Sequence, residues 1–228
     1  MFITFEGVEG SGKTTQVARL QQALTAAGYA VWKTREPGGT PLAEAIRQIV
    51  LTPDRAIAAL ATTAPPHRAT PPAPEGVTAI TELLLMNAAR AQLVQEIERR
   101  RALGEIVLCD RFADATLAYQ GGGRGIPRAT IAPVIALAVG TTWPDLTILL
   151  DIDPRVGLAR KSATASIASD WNRLDDEALE FHQRVRATYL TLAAEEPARW
   201  LTLDASAPPD AIAATIWTAV AQRRANRA

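Results

Sequence analysis

Apolar and polar positions along the chain follow two alternating patterns. Short apolar runs bounded by glycine or polar residues predict buried strands at 2–5, 29–33, 105–109, 146–152 and 200–203. Stretches with helical periodicity predict helices at 16–27, 41–51, 81–103, 128–139, 154–163, 175–195 and 208–224. A further helix starts in 112–119 and is expected to be interrupted by the glycine run at 121–125. This alternation predicts an α/β fold with one parallel sheet of about five strands, covered by helices on both faces.

Two segments lack such a pattern. Residues 52–78 are dense in proline, alanine and threonine, and we interpret them as a flexible insertion at the surface with one helical turn near 57–60. His67 lies within this insertion and is expected to be solvated, without a functional role. The small polar residues 164–172 predict a flap, and together with their flanks they define a candidate lid at 160–173.

Composition narrows the class of protein. The 228 residues suit one domain spanning 1–228. The 24 Lys and Arg residues equal the 24 Asp and Glu residues, so the chain lacks the overall basic charge of a nucleic-acid-binding protein. The single cysteine, Cys109, excludes an internal disulfide, fits a reducing compartment and is expected to be an inert core residue. Apolar runs are shorter than the roughly 18 residues of a membrane helix, and a strand begins at once, so we expect a cytoplasmic protein without a membrane partner.

A glycine-rich loop after the first strand carries the clearest chemical signal. Residues 7–14 read GVEGSGKT and fit the phosphate-loop pattern G-x-x-x-x-G-K-[ST], between a predicted strand and a predicted helix. The glycines let successive backbone N–H groups point at one anion, and the helix adds the positive end of its dipole. Lys13 supplies a charge for the β- and γ-phosphates, and the Thr14 hydroxyl can bind Mg²⁺. We therefore expect ATP to bind at Gly7, Val8, Glu9, Gly10, Ser11, Gly12, Lys13, Thr14 and Thr15.

Other loops should meet this one. Right-handed crossovers place all strand-end loops at one edge of a parallel sheet, where ligands of such folds bind. We therefore expect the phosphate loop, the loop at 34–40 and the Asp110-Arg111 pair to converge at that edge.

Several strings of residues resemble one enzyme family. The phosphate loop is followed by TREPGG at 34–39, DRF at 110–112, YQGGGRG at 119–125 and PDLT at 144–147. They occur in the order and spacing of bacterial thymidylate kinases, and the chain resembles that family nearly from end to end, apart from 52–78 and an altered flap. The resemblance implies a P-loop NTPase-type three-layer fold, transfer of the γ-phosphate of ATP to dTMP with Mg²⁺, and a homodimer.

The resemblance assigns the phosphate of dTMP to arginines after the second strand. Arg35 and Arg47 would bind it with planar guanidinium groups, and Glu36 would face the sugar. The residues alone leave an alternative open, in which Arg35 is a solvated turn charge and Arg47 is an exposed helix charge.

The base would lie against the helix that follows the insertion. Arg90 stands among alanines and leucines, and a buried arginine needs a partner, which the thymine would supply by resemblance. The family places a stacking phenylalanine where this chain has Met86, so a different base and plain core packing of Met86 are both alternatives. By resemblance Thr116, Tyr119 and Gln120 surround the sugar and base, although Thr116 and Tyr119 could be ordinary helix residues.

The resemblance assigns metal binding and catalysis to residues around the transferred phosphate. Asp110 would hold Mg²⁺ with Thr14, unless it caps a helix. Arg111 would lie between the donor and acceptor phosphates and offset the charge that spreads during transfer, beside the catalytic Lys13. Glu9 would be drawn to the sugar or the metal.

The lid would supply a further catalytic cation. Arg160 and Arg173 are the candidates, with Lys161 a weaker one, and Asn172 stands where the family has an acidic residue. The loop at 204–206 would border the adenine of ATP, or is a simple turn. The altered lid and Met86 leave two rival functions: a kinase for another nucleoside monophosphate, and a nucleotide-binding regulatory module with little turnover.

Overall fold

Five parallel strands form one sheet in the computed structural model, which describes residues 1–61, 76–164 and 172–225. The strands are β1 (Phe2–Glu6), β2 (Val31–Arg35), β3 (Ile106–Asp110), β4 (Leu146–Asp151) and β5 (Trp200–Asp204). Their order across the sheet is β2-β3-β1-β4-β5. The predicted α/β fold is confirmed, and the strand that leads into the phosphate loop lies at the centre of the sheet.

Helices connect these strands. They are α1 (Lys13–Ala26), α2 (Pro41–Leu51), α3 (Pro53–Ala61), α4 (Ala79–Ala102), α5 (Ala113–Thr116), α6 (Arg128–Val139), α7 (Pro154–Thr164), α8 (Leu179–Glu195) and α9 (Pro209–Ala225). In the described parts of the chain, none of the helices combines the length and the apolar character that crossing a bilayer requires.

The apolar side chains of the strands divide between two clusters. Ile3 and Phe5 pack with residues of α1 and α9, whereas Phe2 and Cys109 pack with residues of α4 and α6. Because successive side chains of a strand point to opposite faces, α1 and α9 cover one side of the sheet and α4 and α6 cover the other, which gives a three-layer structure. α8 lies on the side of α4 and α6, since its Tyr189 donates to Glu6, which points to the same face as Phe2. Cys109 is a free, buried thiol, as predicted.

The glycine run after Gln120 does not interrupt the helix where predicted. α5 continues directly into a π-helix over Leu117–Gly123. A Cβ at Gly122 would lie 2.0 Å from Oγ1 of Thr188, and a Cβ at Gly123 would lie 2.4 Å from the ring of Phe181. The missing side chains therefore let the π-helix pack closely against α8.

Three other boundaries differ from prediction or lie outside the described residues. α3 is longer than the single turn expected at 57–60. α8 begins at Leu179 rather than 175, because the carboxylate of Asp175 holds a turn by accepting the backbone N–H of Asn172 at 2.8 Å. The remainder of the predicted insertion (62–75, with His67) and the lid residues 165–171 lie outside the described residues, so those predictions and the single domain 1–228 stay predictions.

Candidate active site

The carboxyl ends of three neighbouring strands bring the expected loops together. In the register of the sheet, Asp110 of β3 pairs with Phe5 of β1 on one side and with Arg35 of β2 on the other. Neighbouring strands lie about 4.8 Å apart. The phosphate loop, the Arg35 loop and the Asp110-Arg111 pair are therefore adjacent at one edge of the sheet.

The phosphate loop depends on glycine at two positions. Gly12 has a φ of 91° and stands immediately before α1. Gly10 has a φ of 68°, and a Cβ there would lie 1.9 Å from the carbonyl oxygen of Gly157 on α7. The left-handed backbone disfavours larger residues at both positions, and at Gly10 the close approach of α7 also excludes them.

The residues of this loop differ in exposure. Val8 is buried in the apolar cluster that also contains Ile3 and Phe5, and Ser11 is buried beside it. Thr14 and Thr15, in the first turn of α1, are exposed. The loop is thus anchored to the sheet at Val8, while the N-terminus of α1 presents its N–H groups to a ligand.

Lys13 is folded back over the loop. Its Nζ donates hydrogen bonds to the carbonyl oxygens of Gly7 at 3.0 Å and Val8 at 2.9 Å. Burial, together with the nearby charge of Arg111, lowers the pKa of Lys13 to about 8. The amine therefore lies where a triphosphate in the loop would meet it, and its charge is sensitive to that ligand.

This pKa predicts proton uptake when ATP binds. Negative phosphates stabilise the charged amine and raise the pKa of Lys13. At pH 8 we expect binding to take up about half a proton per site, and at pH 6, where the amine is already charged, this uptake disappears. Calorimetric titrations in two buffers with different ionisation enthalpies measure it. Lys13→Arg keeps the charge at both pH values and is expected to remove the uptake; an uptake at pH 8 that persists in this variant would assign it elsewhere.

Thr14 and Asp110 form a pair of oxygen ligands. The Thr14 hydroxyl donates to Oδ2 of Asp110 at 3.0 Å. A hydroxyl and a carboxylate are ligands that Mg²⁺ prefers, and a Mg²⁺ in a nucleotide site takes few protein ligands beside the phosphates. The residues therefore fit the predicted metal site.

Arg111 connects the phosphate loop with the helices above it. Its guanidinium donates to the carbonyl oxygen of Gly7 at 2.9 Å, to the hydroxyl of Tyr189 at 3.2 Å and to Oε1 of Glu9 at 2.9 Å. Burial acts to lower the pKa of Arg111, but the Glu9 carboxylate outweighs it and raises that pKa well above its ordinary value. The site therefore holds a charged guanidinium in one orientation.

Glu9 is ionised within this network. Its second oxygen accepts a hydrogen bond from the Tyr119 hydroxyl, and the ring of Tyr119 lies under the Arg111 guanidinium, 4.8 Å from it. Burial opposes ionisation, but the charges of Arg111 and Lys13 and the Tyr119 hydrogen bond lower the pKa of Glu9 to about 2. If Glu9 also contacts a sugar or a metal, as predicted, it would do so while bound to Arg111 and Tyr119.

Glu6 and Tyr189 belong to the same network and were not predicted from the sequence. The Tyr189 hydroxyl donates to Oε2 of Glu6 at 2.7 Å, and the backbone N–H of Phe112 donates to Oε1 at 2.8 Å. Burial, with the nearby charge of Asp114, raises the pKa of Glu6 to about 8. The sequence signal for Glu6 was a carboxyl group at the end of an apolar strand; Tyr189 stands in an ordinary amphipathic helix and gave none.

Arg35 and Arg47, which are predicted to bind the acceptor phosphate, interact electrostatically. Arg35 donates to Glu44 at 3.0 Å and is exposed, and Arg47 donates to the carbonyl oxygen of Pro37 at 3.0 Å. Burial and the charges of Arg35 and Arg111 lower the pKa of Arg47. Like charges gathered at one place favour binding of an anion such as a phosphate.

Arg90 is buried against a protein carboxylate, where the sequence had suggested a substrate partner. The side chain is 2% exposed, and it donates to Oε2 of Glu36 through Nε at 2.9 Å and through the terminal nitrogen at 2.8 Å. Oε1 of Glu36 is buried and has no partner in the described residues, so it can accept a hydrogen bond from a ligand hydroxyl. Met86, one turn before Arg90, is half-buried against the main apolar cluster.

Arg173 contacts residues away from the phosphate loop. It donates to Oε2 of Glu82 on α4 at 2.6 Å and to the carbonyl oxygen of Val50 on α2 at 2.6 Å. Glu82 also accepts a hydrogen bond from Nε2 of Gln120 at 2.7 Å. Thr116 is buried in α5. The structure therefore brings Gln120 and Arg173 to one buried carboxylate, which the sequence had shown only as an acidic residue in an apolar helix.

The other lid cations are also engaged. Arg160 donates to the carbonyl oxygen of Ala205 at 2.9 Å, in the loop expected to border adenine. Lys161 donates to both oxygens of Asp175 at 2.7 Å, and Asp175 also accepts from Asn172. The roles of Arg160 and Arg173 in catalysis stay predictions.

Comparison with known proteins agrees with this geometry. A family model described as thymidylate kinase matches residues 5–66 and 73–216. Thymidylate kinases of Thermomicrobium roseum and Deinococcus radiodurans are 46% and 47% identical to the chain, over 97% and 98% of it and 94% and 97% of their own lengths. The crystal structure of thymidylate kinase from Ehrlichia chaffeensis superposes with a TM-score of 0.70 at 29% identity, covering 96% of this chain and 97% of that one. The chain therefore belongs to the thymidylate kinase family.

Proposed function

We propose that this protein transfers the γ-phosphate of ATP to dTMP, giving dTDP and ADP. The observation that carries the proposal is the position of Arg111. It follows β3, the strand between β1 and β2, and it contacts the phosphate loop through Gly7 and Glu9. On the other side, Arg35 of the proposed acceptor site ends the neighbouring strand β2 and pairs with Asp110. A guanidinium placed between two phosphate sites is suited to phosphoryl transfer between them.

The donor side would hold ATP by charge and backbone amides. The N–H groups of the phosphate loop and of the first turn of α1 point at the phosphates, and Lys13 adds a positive charge. Thr14 and Asp110 would hold Mg²⁺, which offsets charge on the β- and γ-phosphate oxygens when bound. These groups orient the γ-phosphorus towards the acceptor.

The acceptor side would hold dTMP with its phosphate at Arg35 and Arg47. An oxygen of that phosphate forms a bond to the γ-phosphorus, and the bond to the bridging oxygen of ADP breaks. A phosphate dianion is already deprotonated, so the step needs no general base. Arg111 offsets the charge that spreads over the transferring group. Arg160 and Arg173 are proposed to add cationic charge when the lid closes and water is excluded.

A coupled assay of ADP release with a panel of acceptors tests this function. We expect dTMP to have the highest kcat/KM among dTMP, dUMP, dCMP and dGMP. A higher value for one of the other three would make this a kinase for that nucleotide. ATP binding without dTDP formation, even at high enzyme concentration, would instead indicate a regulatory nucleotide-binding module.

We also propose a homodimer that covers an apolar surface of α4 and α6. These helices pack side by side, and Leu84 on α4 and Leu137 on α6 are 53% and 88% exposed. A second copy would bury such side chains, and burial of the largely exposed Leu137 alone would stabilise the dimer by roughly 1.5–3 kcal/mol. The absence of a nucleic-acid partner and a cytoplasmic location stay predictions from composition.

Sedimentation velocity tests the dimer. The parent is expected to sediment as a dimer, and Leu137→Glu as a monomer, because a carboxylate at this position would have to be buried. Leu190→Glu changes an exposed leucine on α8, away from this surface, and serves as the control. A monomeric parent, or a dimer that survives Leu137→Glu, would contradict this surface.

A further inference from the structure

We propose that Glu82 selects the base of the acceptor by fixing the orientation of the Gln120 side-chain amide. The inference rests on the proposed nucleoside monophosphate kinase activity. In this inference Glu82 is a positioning residue that acts through Gln120. It favours thymine and uracil, which carry a hydrogen on N3, over cytosine, which carries none there.

Glu82 is a buried acceptor. It lies in the first turn of α4 and is 0% exposed, and it receives hydrogen bonds from Gln120, Arg124 and Arg173. Burial would raise the pKa of Glu82, but hydrogen bonds from Gln120 and Arg124 and the charge of Arg173 hold it below its ordinary value. An ionised carboxylate has no proton to donate, so every partner must present a hydrogen to it.

This fixes the amide of Gln120. Its Nε2 lies 2.7 Å from Oε1 of Glu82, and an amide oxygen in that place would face a carboxylate oxygen without a proton between them. The nitrogen is therefore committed to Glu82, and the oxygen is directed away from it. Flipping the amide would exchange a charge-assisted hydrogen bond for a repulsion.

The expected base site lies on the same face of α4 as Glu82, the partner of this amide. Glu82, Met86 and Arg90 are spaced by four residues along α4 and therefore lie on one stripe of the helix. Met86 and Arg90 are the positions expected at the base. Gln120 is bonded to Glu82, which lies on the same stripe one turn before Met86. The Gln120 oxygen at this position accepts a hydrogen bond from an N3–H group, whereas the unprotonated N3 of cytosine would meet it with a second lone pair.

The two oxygens of Glu82 have separate partners, which makes the test specific. Oε2 receives Arg173 at 2.6 Å and Arg124 at 3.1 Å, while Oε1 receives Gln120 at 2.7 Å and only a longer contact, 3.4 Å, from Arg124. In Glu82→Gln the two arginines would retain the carbonyl oxygen on their side. The new NH₂ group would then face Gln120 and turn its amide, so that the base site receives hydrogens in place of the oxygen.

The experiment compares dUMP with dCMP, which differ only in the hydrogen-bonding edge of the base. In the parent we expect kcat/KM for dUMP to exceed that for dCMP by about 100-fold or more, and in Glu82→Gln we expect this ratio to fall by about 10- to 100-fold. Glu82→Asp remains an acceptor without a proton and is expected to keep the ratio even where both efficiencies decrease. In a Gln120→Ala background, Glu82→Gln should leave the ratio unchanged.

Several results would overturn the inference. A parent that phosphorylates dCMP as efficiently as dUMP would overturn it. This result needs no variant, so the test remains decisive if Glu82→Gln does not fold. A folded Glu82→Gln with an unchanged ratio, or a change of equal size in the Gln120→Ala background, would also exclude it. A parent without activity on dTMP would instead contradict the proposed function, so the two failures are distinguishable.

Discussion

Arg111→Lys is expected to lower kcat for dTDP formation by about 100-fold or more, because a lysine keeps the charge but loses the planar set of donors. Arg111 donates to Gly7 and Tyr189 from one terminal nitrogen of its guanidinium and to Glu9 from the other. A single ammonium group on a flexible chain cannot occupy the positions of both nitrogens. The transition state then loses a cation held in place, while ATP still binds to the loop through Lys13.

Steady-state kinetics measures this effect as a fall mainly in kcat. The matched control is Arg128→Lys, which changes an exposed arginine paired with Glu195 at 2.7 Å and is expected to leave kcat unchanged. If Arg111→Lys retained kcat within a few-fold of the parent, Arg111 would have a structural role only. Equal losses in both variants would point to a general effect of the substitution rather than to the position of Arg111.

The contacts of Arg111 show which features of the site the sequence predicts and which it does not. The strand that precedes it and its place at the sheet edge follow from apolar runs, crossover handedness and the glycine pattern, all of which are local or topological. Its partner Tyr189 is 78 residues away in the sequence. Tyr189 in turn donates to Glu6, from which it is separated by 183 residues. Such pairings depend on how α8 packs over β1, and a pattern of apolar positions does not determine them.

The contacts of Arg173 in the lid also depend on packing and cannot be read from the sequence. Arg173 is predicted to cover the transferring phosphate because the resemblance implies a catalytic arginine from the lid. In the structure its guanidinium binds Glu82 and the carbonyl oxygen of Val50, since a buried carboxylate attracts the nearest available donors. Sequence spacing identifies which residues can reach the site, but the choice among several carboxylates and carbonyl groups is made by packing. Residues such as Glu82, which contact predicted site residues, are therefore found only from the structure.

The buried pair of Glu36 and Arg90 predicts the largest change in stability. Glu36→Ala is expected to lower the free energy of unfolding by about 3–5 kcal/mol, because it leaves a buried guanidinium that cannot release its proton. Arg90→Met is expected to cost less, since the Glu36 carboxyl can take up a proton instead. Burial already raises the pKa of Glu36 in spite of the opposing charge of Arg90, and removing that charge raises it further.

Urea unfolding at several pH values separates the two variants. In Arg90→Met the folded pKa of Glu36 lies above its unfolded value, so the folded protein binds the extra proton and stability is lost as pH rises through the folded pKa. In Glu36→Ala no such group remains, whereas the parent keeps a Glu36 whose pKa is itself raised, so the deficit relative to the parent should shrink as pH rises from about 5 to about 8. Glu195→Ala removes the carboxylate of the exposed Arg128 pair, whose side chains are 60% and 41% exposed, and should cost less than about 1 kcal/mol. If Glu36→Ala cost no more than this control, the Glu36–Arg90 pair could not be what fixes Arg90 beside the base site, and Arg90 would have to be held by Asn87 and the Phe112 carbonyl alone.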